Sequence, residues 1–138
     1  MRRCFLFLLL ALAAWAEPRV YRAPVGQFRC HLDLVTAKAY RAQTADYMWP
    51  SMSGPQLNLV LHLAQPEASF EEELEFAFGE SLIPESVRGQ RACGKGFRAA
   101  FIETSRGRLF VGARTRSRPP LADSILDRVI YDIQRTLH

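Results

Sequence analysis

Residues 97–116 read FRAAFIETSRGRLFVGARTR. Two segments rich in apolar residues flank Ser105-Arg106-Gly107-Arg108. A short polar connector holding glycine marks an antiparallel hairpin. With Arg106-Gly107 as a two-residue turn, the register pairs Ile102 with Val111 and Ala100 with Ala113. Those four make a small apolar inner face. The opposite face carries Phe97, Phe101, Glu103, Phe110, Arg114 and Arg116. A lone hairpin is at best marginal in water, so the rest of the chain must supply further strands and a cover.

The cover follows directly. Ile125, Val129, Ile133 and Leu137 recur every four residues, flanked by Leu126 and Ile130. That spacing predicts a helix from about Leu121 to Leu137, opened by Pro119-Pro120, with Asp123 and Asp127 near the positive end of its dipole. Upstream, Phe28, Cys30, Leu32 and Leu34 alternate with Arg29, His31 and Asp33, and Leu57, Leu59, Leu61 and Leu63 alternate with Asn58, Val60 and His62. Period two predicts two half-buried strands. Residues 43–56, with Pro50, Pro55 and Gly54, read as a loop, and residues 80–96 as irregular. Leu74, Phe76 and Phe78 alternate ahead of Gly79, which predicts a strand over 73–78 although the glutamates favour helix. The expected fold is α+β: an antiparallel sheet of about five strands with a C-terminal helix packed on one face.

The chain has 138 residues, 49% of them hydrophobic. One domain fits that length, and intrinsic disorder does not fit that composition. Residues 1–16 are expected to be a signal peptide: Arg2 and Arg3 precede an apolar run, and Ala14-Trp15-Ala16 supplies a small-x-small cleavage site. The run is about a dozen residues, against the roughly 20 that a membrane span requires. Residues 17–138 are then a single exported domain, secreted or periplasmic, with no stable membrane insertion. Losing Arg2 and Arg3 takes the formal net charge from +4 to +2, so the basicity is not a nucleic-acid signal.

Cys30 and Cys93 remain after such processing. A pair of cysteines in an oxidising compartment predicts a disulfide. A bridge across a loop of about 60 residues contributes roughly 4 kcal/mol in the chain-entropy picture. No close grouping of cysteine and histidine indicates a zinc module, and no cofactor is expected.

Charge is segregated along the chain. Residues 67–85 hold seven glutamates and no basic residue, whereas residues 88–118 hold nine basic residues and one acid, Glu103. Arg106, Arg108, Arg114 and Arg116, interleaved with Phe101 and Phe110, have the composition of an interface that docks an anion. The alternative is that the acidic segment lies beside the hairpin and neutralises it. Trp49, in Tyr47-Met48-Trp49-Pro50-Ser51-Met52, is a further recognition candidate, or part of a plug over the sheet. These features predict a small, exported, non-enzymatic binding protein: an inhibitor, an immunity-type protein or an envelope or secretion accessory factor. Its partner would be an acidic protein or an anionic glycan or lipid head group, not nucleic acid. One alternative is a metal-dependent hydrolase that uses His31, Asp33 and His62, should their strands be neighbours. Another is a carrier of an apolar ligand held between sheet and helix.

Overall fold

The computed structural model describes residues 18–37 and 44–138, and the expected leader lies outside them. β1 (Arg19–Arg22) and β2 (Gln27–Cys30) form a two-stranded ribbon. The remaining strands are β3 (Val35–Thr36), β4 (Thr44–Ser51), β5 (Gly54–Leu63), β6 (Ser86–Arg88), β7 (Arg91–Gly94), β8 (Phe97–Thr104) and β9 (Gly107–Thr115). They make one seven-stranded antiparallel sheet in the order β3-β4-β5-β9-β8-β7-β6. Two helices, α1 (Phe70–Phe78) and α2 (Asp123–Thr136), complete an α+β fold. Among the described residues no helix is long and apolar enough to cross a membrane.

The class, the antiparallel sheet and the C-terminal helix on one face agree with the sequence reading. The sheet has seven strands against the expected five: the segments expected at 28–34 and 73–78 lie in the ribbon and in a helix, whereas β3 and three strands from two proline- and glycine-marked segments, β4, β6 and β7, join it. Residues 44–51 and 54–63 form a hairpin in which Trp49 faces Leu57, and the register slips between Trp49 and Pro50. Proline survives in a strand at such an irregularity, where no ladder hydrogen bond is demanded of it. Residues 86–94 fold into a second short hairpin, turned by Gly89 at φ 59°.

The β8–β9 hairpin differs from the expected register by two residues. Ala100 pairs with Val111 and Ile102 with Leu109, and the turn is Ser105-Arg106. A slip of two preserves every face, since side chains alternate with period two. Ala100, Val111 and Ala113 therefore still point inward, as expected, and Ile102 packs beside them. They meet Leu57, Leu59 and Leu61 of β5 and the stripe Leu126, Val129, Ile130 and Ile133 of α2, all buried. Each large apolar side chain so buried contributes about 1.5–3 kcal/mol relative to exposure.

Residues 70–78 are helix, not the expected strand. Ser69 caps the N-terminus, accepting from the Glu72 N–H at 3.2 Å, and Gly79 ends the helix at φ 68° with its N–H donated to the Glu75 carbonyl. Glu71, Glu72 and Glu73 occupy the first turn, where the dipole favours acids. Helical spacing then buries Phe70, Glu73 and Leu74 and leaves Phe76 half exposed. This helix covers the second face of the sheet, against Ala92, Phe97, Ala99, Phe101 and Phe110.

The ribbon is attached to α2 by a ladder of polar bonds. Gln27 and His138 exchange backbone hydrogen bonds, the Arg29 N–H donates to Thr136 Oγ1 at 2.7 Å, and the His31 N–H donates to Asp132 Oδ2 at 3.2 Å. His31 Nδ1 lies 2.6 Å from the same carboxylate oxygen, and Arg128 Nε donates to Asp132 Oδ1 at 2.9 Å. Gly26 belongs to this seam, because a Cβ there would overlap the His138 carbonyl. Burial alone would raise the Asp132 pKa. The bonds from His31 and Arg128 outweigh it and hold the carboxyl below its ordinary range.

A depressed carboxylate pKa stabilises the fold above its unfolded value, near 4, and that contribution is lost as pH falls through the folded value. Asp132→Asn is therefore expected to be less stable than wild type by about 1–3 kcal/mol at neutral pH. The gap should narrow in acid, since only wild type has the contribution to lose. Urea unfolding followed by circular dichroism at pH 7 and pH 3 checks both the sign and the convergence.

Candidate functional site: a basic trough beside the C-terminal helix

The residues expected to form a docking face are placed with two different outcomes. Phe101 and Phe110 are buried beneath α1, so they are core and not a surface for a partner. Arg108 lies 3.7 Å over the Phe101 ring, near Glu103 at 3.5 Å and bonded to Gln90 at 3.0 Å. Arg114 and Arg116 both engage Glu80, at 2.7 and 3.4 Å, and Arg116 also donates to Asn58. Arg106 is exposed at the turn. Trp49 is half-buried on β4 and packs against the α2-side core, so it is neither a loop residue nor near the arginines as a group. Part of the basic hairpin is thus neutralised by the acidic segment, through Glu80.

His31, Asp33 and His62 are not brought together. His31 is bonded to α2, and Asp33 pairs with Arg19 at 3.2 Å on the exposed ribbon. His62 is on the α1 side, with Nε2 hydrogen-bonded to Glu73 and its ring packed on Phe110 and Phe76. Its Nδ1 is buried without a hydrogen-bond partner among the described residues. The partner Glu73 escaped notice in the sequence because it looked like one member of a solvated run.

The expected Cys30–Cys93 bridge is absent, and both cysteines are free thiols. The helix α2 separates them. Cys30 is enclosed on the ribbon side with His31 and Asp132, whereas Cys93 lines a groove on the other flank with Asp127 and Tyr131. Burial pushes the Cys30 thiol up to about 11, so it stays protonated and is a poor nucleophile. Donor atoms of Cys30, His31 and Asp132 lie within 4.8 Å of one another. However, both Asp132 oxygens already accept hydrogen bonds from His31 and Arg128. The trio is satisfied as a structural seam.

The remaining basic residues converge elsewhere. A cavity of about 770 Å³ lies between the β6–β7 hairpin and the flank of α2, lined by Arg88, Arg91, Arg128, Tyr131 and Ser124 among others. A second, of about 650 Å³, surrounds the Gly94-Lys95-Gly96 turn and the start of α2, and receives Arg98, Arg114, Arg116 and Arg118. Both are lined by Ser86 and Cys93, so they form one continuous trough. Seven of the nine basic residues counted between 88 and 118 line it.

The acids of the trough are largely committed. Arg98, almost fully buried, holds Asp127 at 2.7 Å and Asp123 at 3.4 Å and donates to the Gly94 and Phe97 carbonyls. Glu80 is shared by Arg114 and Arg116. Arg88 and Arg91 have no carboxylate partner among the described residues, yet they stand directly opposite each other across the β6–β7 pair. Like charges so placed destabilise a sheet edge. The sequence showed the excess of arginine but not which arginines stay free, because the partners of the others lie far off in the chain.

Comparisons with protein-family models, with curated proteins and with solved structures find no match for this chain.

The two thiols should differ in access. On residues 17–138, which hold only Cys30 and Cys93, maleimide followed by intact-mass measurement is expected to add one label to the folded protein, at Cys93, and a second only after unfolding in denaturant. Absence of any label from unfolded protein before reduction would mean that the two sulfurs are bonded.

Proposed function

We propose that this chain is a small, exported, non-enzymatic binding domain, and that its docking site is the basic trough between α2 and the β6–β7 hairpin. The partner is an anionic protein surface. One observation carries the reading: Arg88 and Arg91 face each other without a counter-ion among the described residues, in a cavity whose one lining carboxylate, Asp127, is held by Arg98. A fold tolerates such a pair at modest cost in water, and an incoming carboxylate relieves it.

Two further features support docking. Tyr131 is half exposed on the wall of the trough, and tyrosine with arginine is the composition of binding hot spots. The cavity is open to solvent and three arginines, Arg88, Arg91 and Arg128, stand on its lining, which suits an extended anionic surface. Export is supported by the leader-like pattern of residues 1–16. Inhibitor, immunity-type and accessory roles all use a site of this kind.

Binding of a fluorescent polyglutamate probe tests the reading. Arg88→Glu with Arg91→Glu is expected to weaken binding by tenfold or more, in the manner of a close charge pair. Arg22→Glu with Arg106→Glu makes the same change in net charge away from the trough and should alter it less than about twofold. Equal losses in both variants would reduce the effect to net charge and remove the trough as a site.

A further inference from the structure

We infer that the trough accepts the outer face of α1 from a second copy of this chain, so that the protein self-associates head to tail. The inference rests on the docking reading above and names its partner.

The complement is present within the molecule. The outer face of α1 carries Glu71, Glu72 and Glu75, exposed and without a cationic partner among the described residues, and Phe76, half exposed with its ring against His62. The trough carries Arg88 and Arg91, also without a carboxylate partner among the described residues, and half-exposed Tyr131. Each surface is therefore a cluster of like charge with one aromatic side chain. The two match in sign and in composition.

They cannot meet within one chain. α1 packs on the face formed by Ala92, Ala99 and Phe101, whereas the trough is floored by Arg91 and Cys93, the neighbours of Ala92 on the same strand. Successive residues of a strand point to opposite sides of a sheet. The acidic helix and the part of the trough that holds Arg88 and Arg91 thus lie on opposite faces, and the sheet stands between them. A contact that joins two different patches is heterologous, so it propagates or closes into a ring rather than stopping at a symmetric dimer. Opposite charge makes it sensitive to salt.

Sedimentation of the chain, residues 17–138, at low and high ionic strength reads the assembly directly. Wild type is expected to sediment above the monomer mass at 50 mM salt and to return to it at 500 mM. Arg88→Glu with Arg91→Glu sets two acids where the acidic helix would dock, and Glu71→Arg with Glu75→Arg sets two bases where the trough arginines would meet it. Each variant alone should be monomeric, with a circular dichroism spectrum like that of wild type. An equimolar mixture should recover the assembly, because each surface then finds its opposite in the other variant. A wild type that stays monomeric at low salt, or a mixture that stays monomeric, overturns the inference. Retained polyglutamate binding in that case leaves the trough a docking site for another acidic protein. Loss of both overturns the docking reading too.

Discussion

The pleat of the β8–β9 hairpin is the constraint from which the rest of the molecule follows. Along β8, Ala99 and Phe101 point to one side of the sheet, and Arg98 and Ala100 to the other. The aromatic side demands its own cover, which α1 provides through Phe70 and Leu74. The small-residue side leaves room for a close-packed helix, and α2 fills it with Leu126, Val129, Ile130 and Ile133. Two cores in one domain arise because neither face of this sheet can be left in water. Arg98 is the exception on the α2 face. It is buried there because two aspartates of α2 and two backbone carbonyls meet its guanidinium, which is the condition under which a buried cation is tolerated.

What could be read from the sequence followed the strength of the periodicities. The stripe Leu126, Val129, Ile130, Ile133 had no rival reading, and α2 lies almost where the spacing puts it. The faces of β8 and β9 were legible although their register was not, since an even slip changes partners without exchanging sides. α1 was misread because Leu74, Phe76 and Phe78 imitate a strand. The deciding signals were its two ends, Ser69 and Gly79, which act through single hydrogen bonds and leave no periodic trace. β4 was hidden by Pro50, whose place at a register slip is visible only once the neighbouring strand is present.

The candidate site was legible as charge but not as location. Nine basic residues in a run of 31 announce a positive surface, and the obvious place for it was the hairpin that carries them. In three dimensions the hairpin phenylalanines turn inward, and Arg108, Arg114 and Arg116 are taken up by Glu103 and Glu80. Arg88 and Arg91, which face each other with no carboxylate partner among the described residues, come from a segment with no clear pattern. Asp132 was equally invisible. It sits at the margin of the apolar stripe, where an acid reads as ordinary solvated charge, and its role appears only when His31 arrives from the other end of the chain.

The openness of the trough has the same origin as the packing of the core. One flank of α2 is closed by the ribbon, whose backbone donors find Asp132 and Thr136. The other flank faces β7 and β6, and the side chains there that line the trough are Arg91, Cys93, Ser86 and Arg88. No large apolar residue is among them, so a further helix of this chain would gain little by covering the strip. It would also have to strip water from two guanidinium groups that lack a counter-ion, at a cost of several kcal/mol each. Only an occupant that brings its own negative charge escapes that cost. On the docking reading proposed above, the feature that keeps the end of this sheet bare in the single chain is also the one that would favour an acidic surface as its cover.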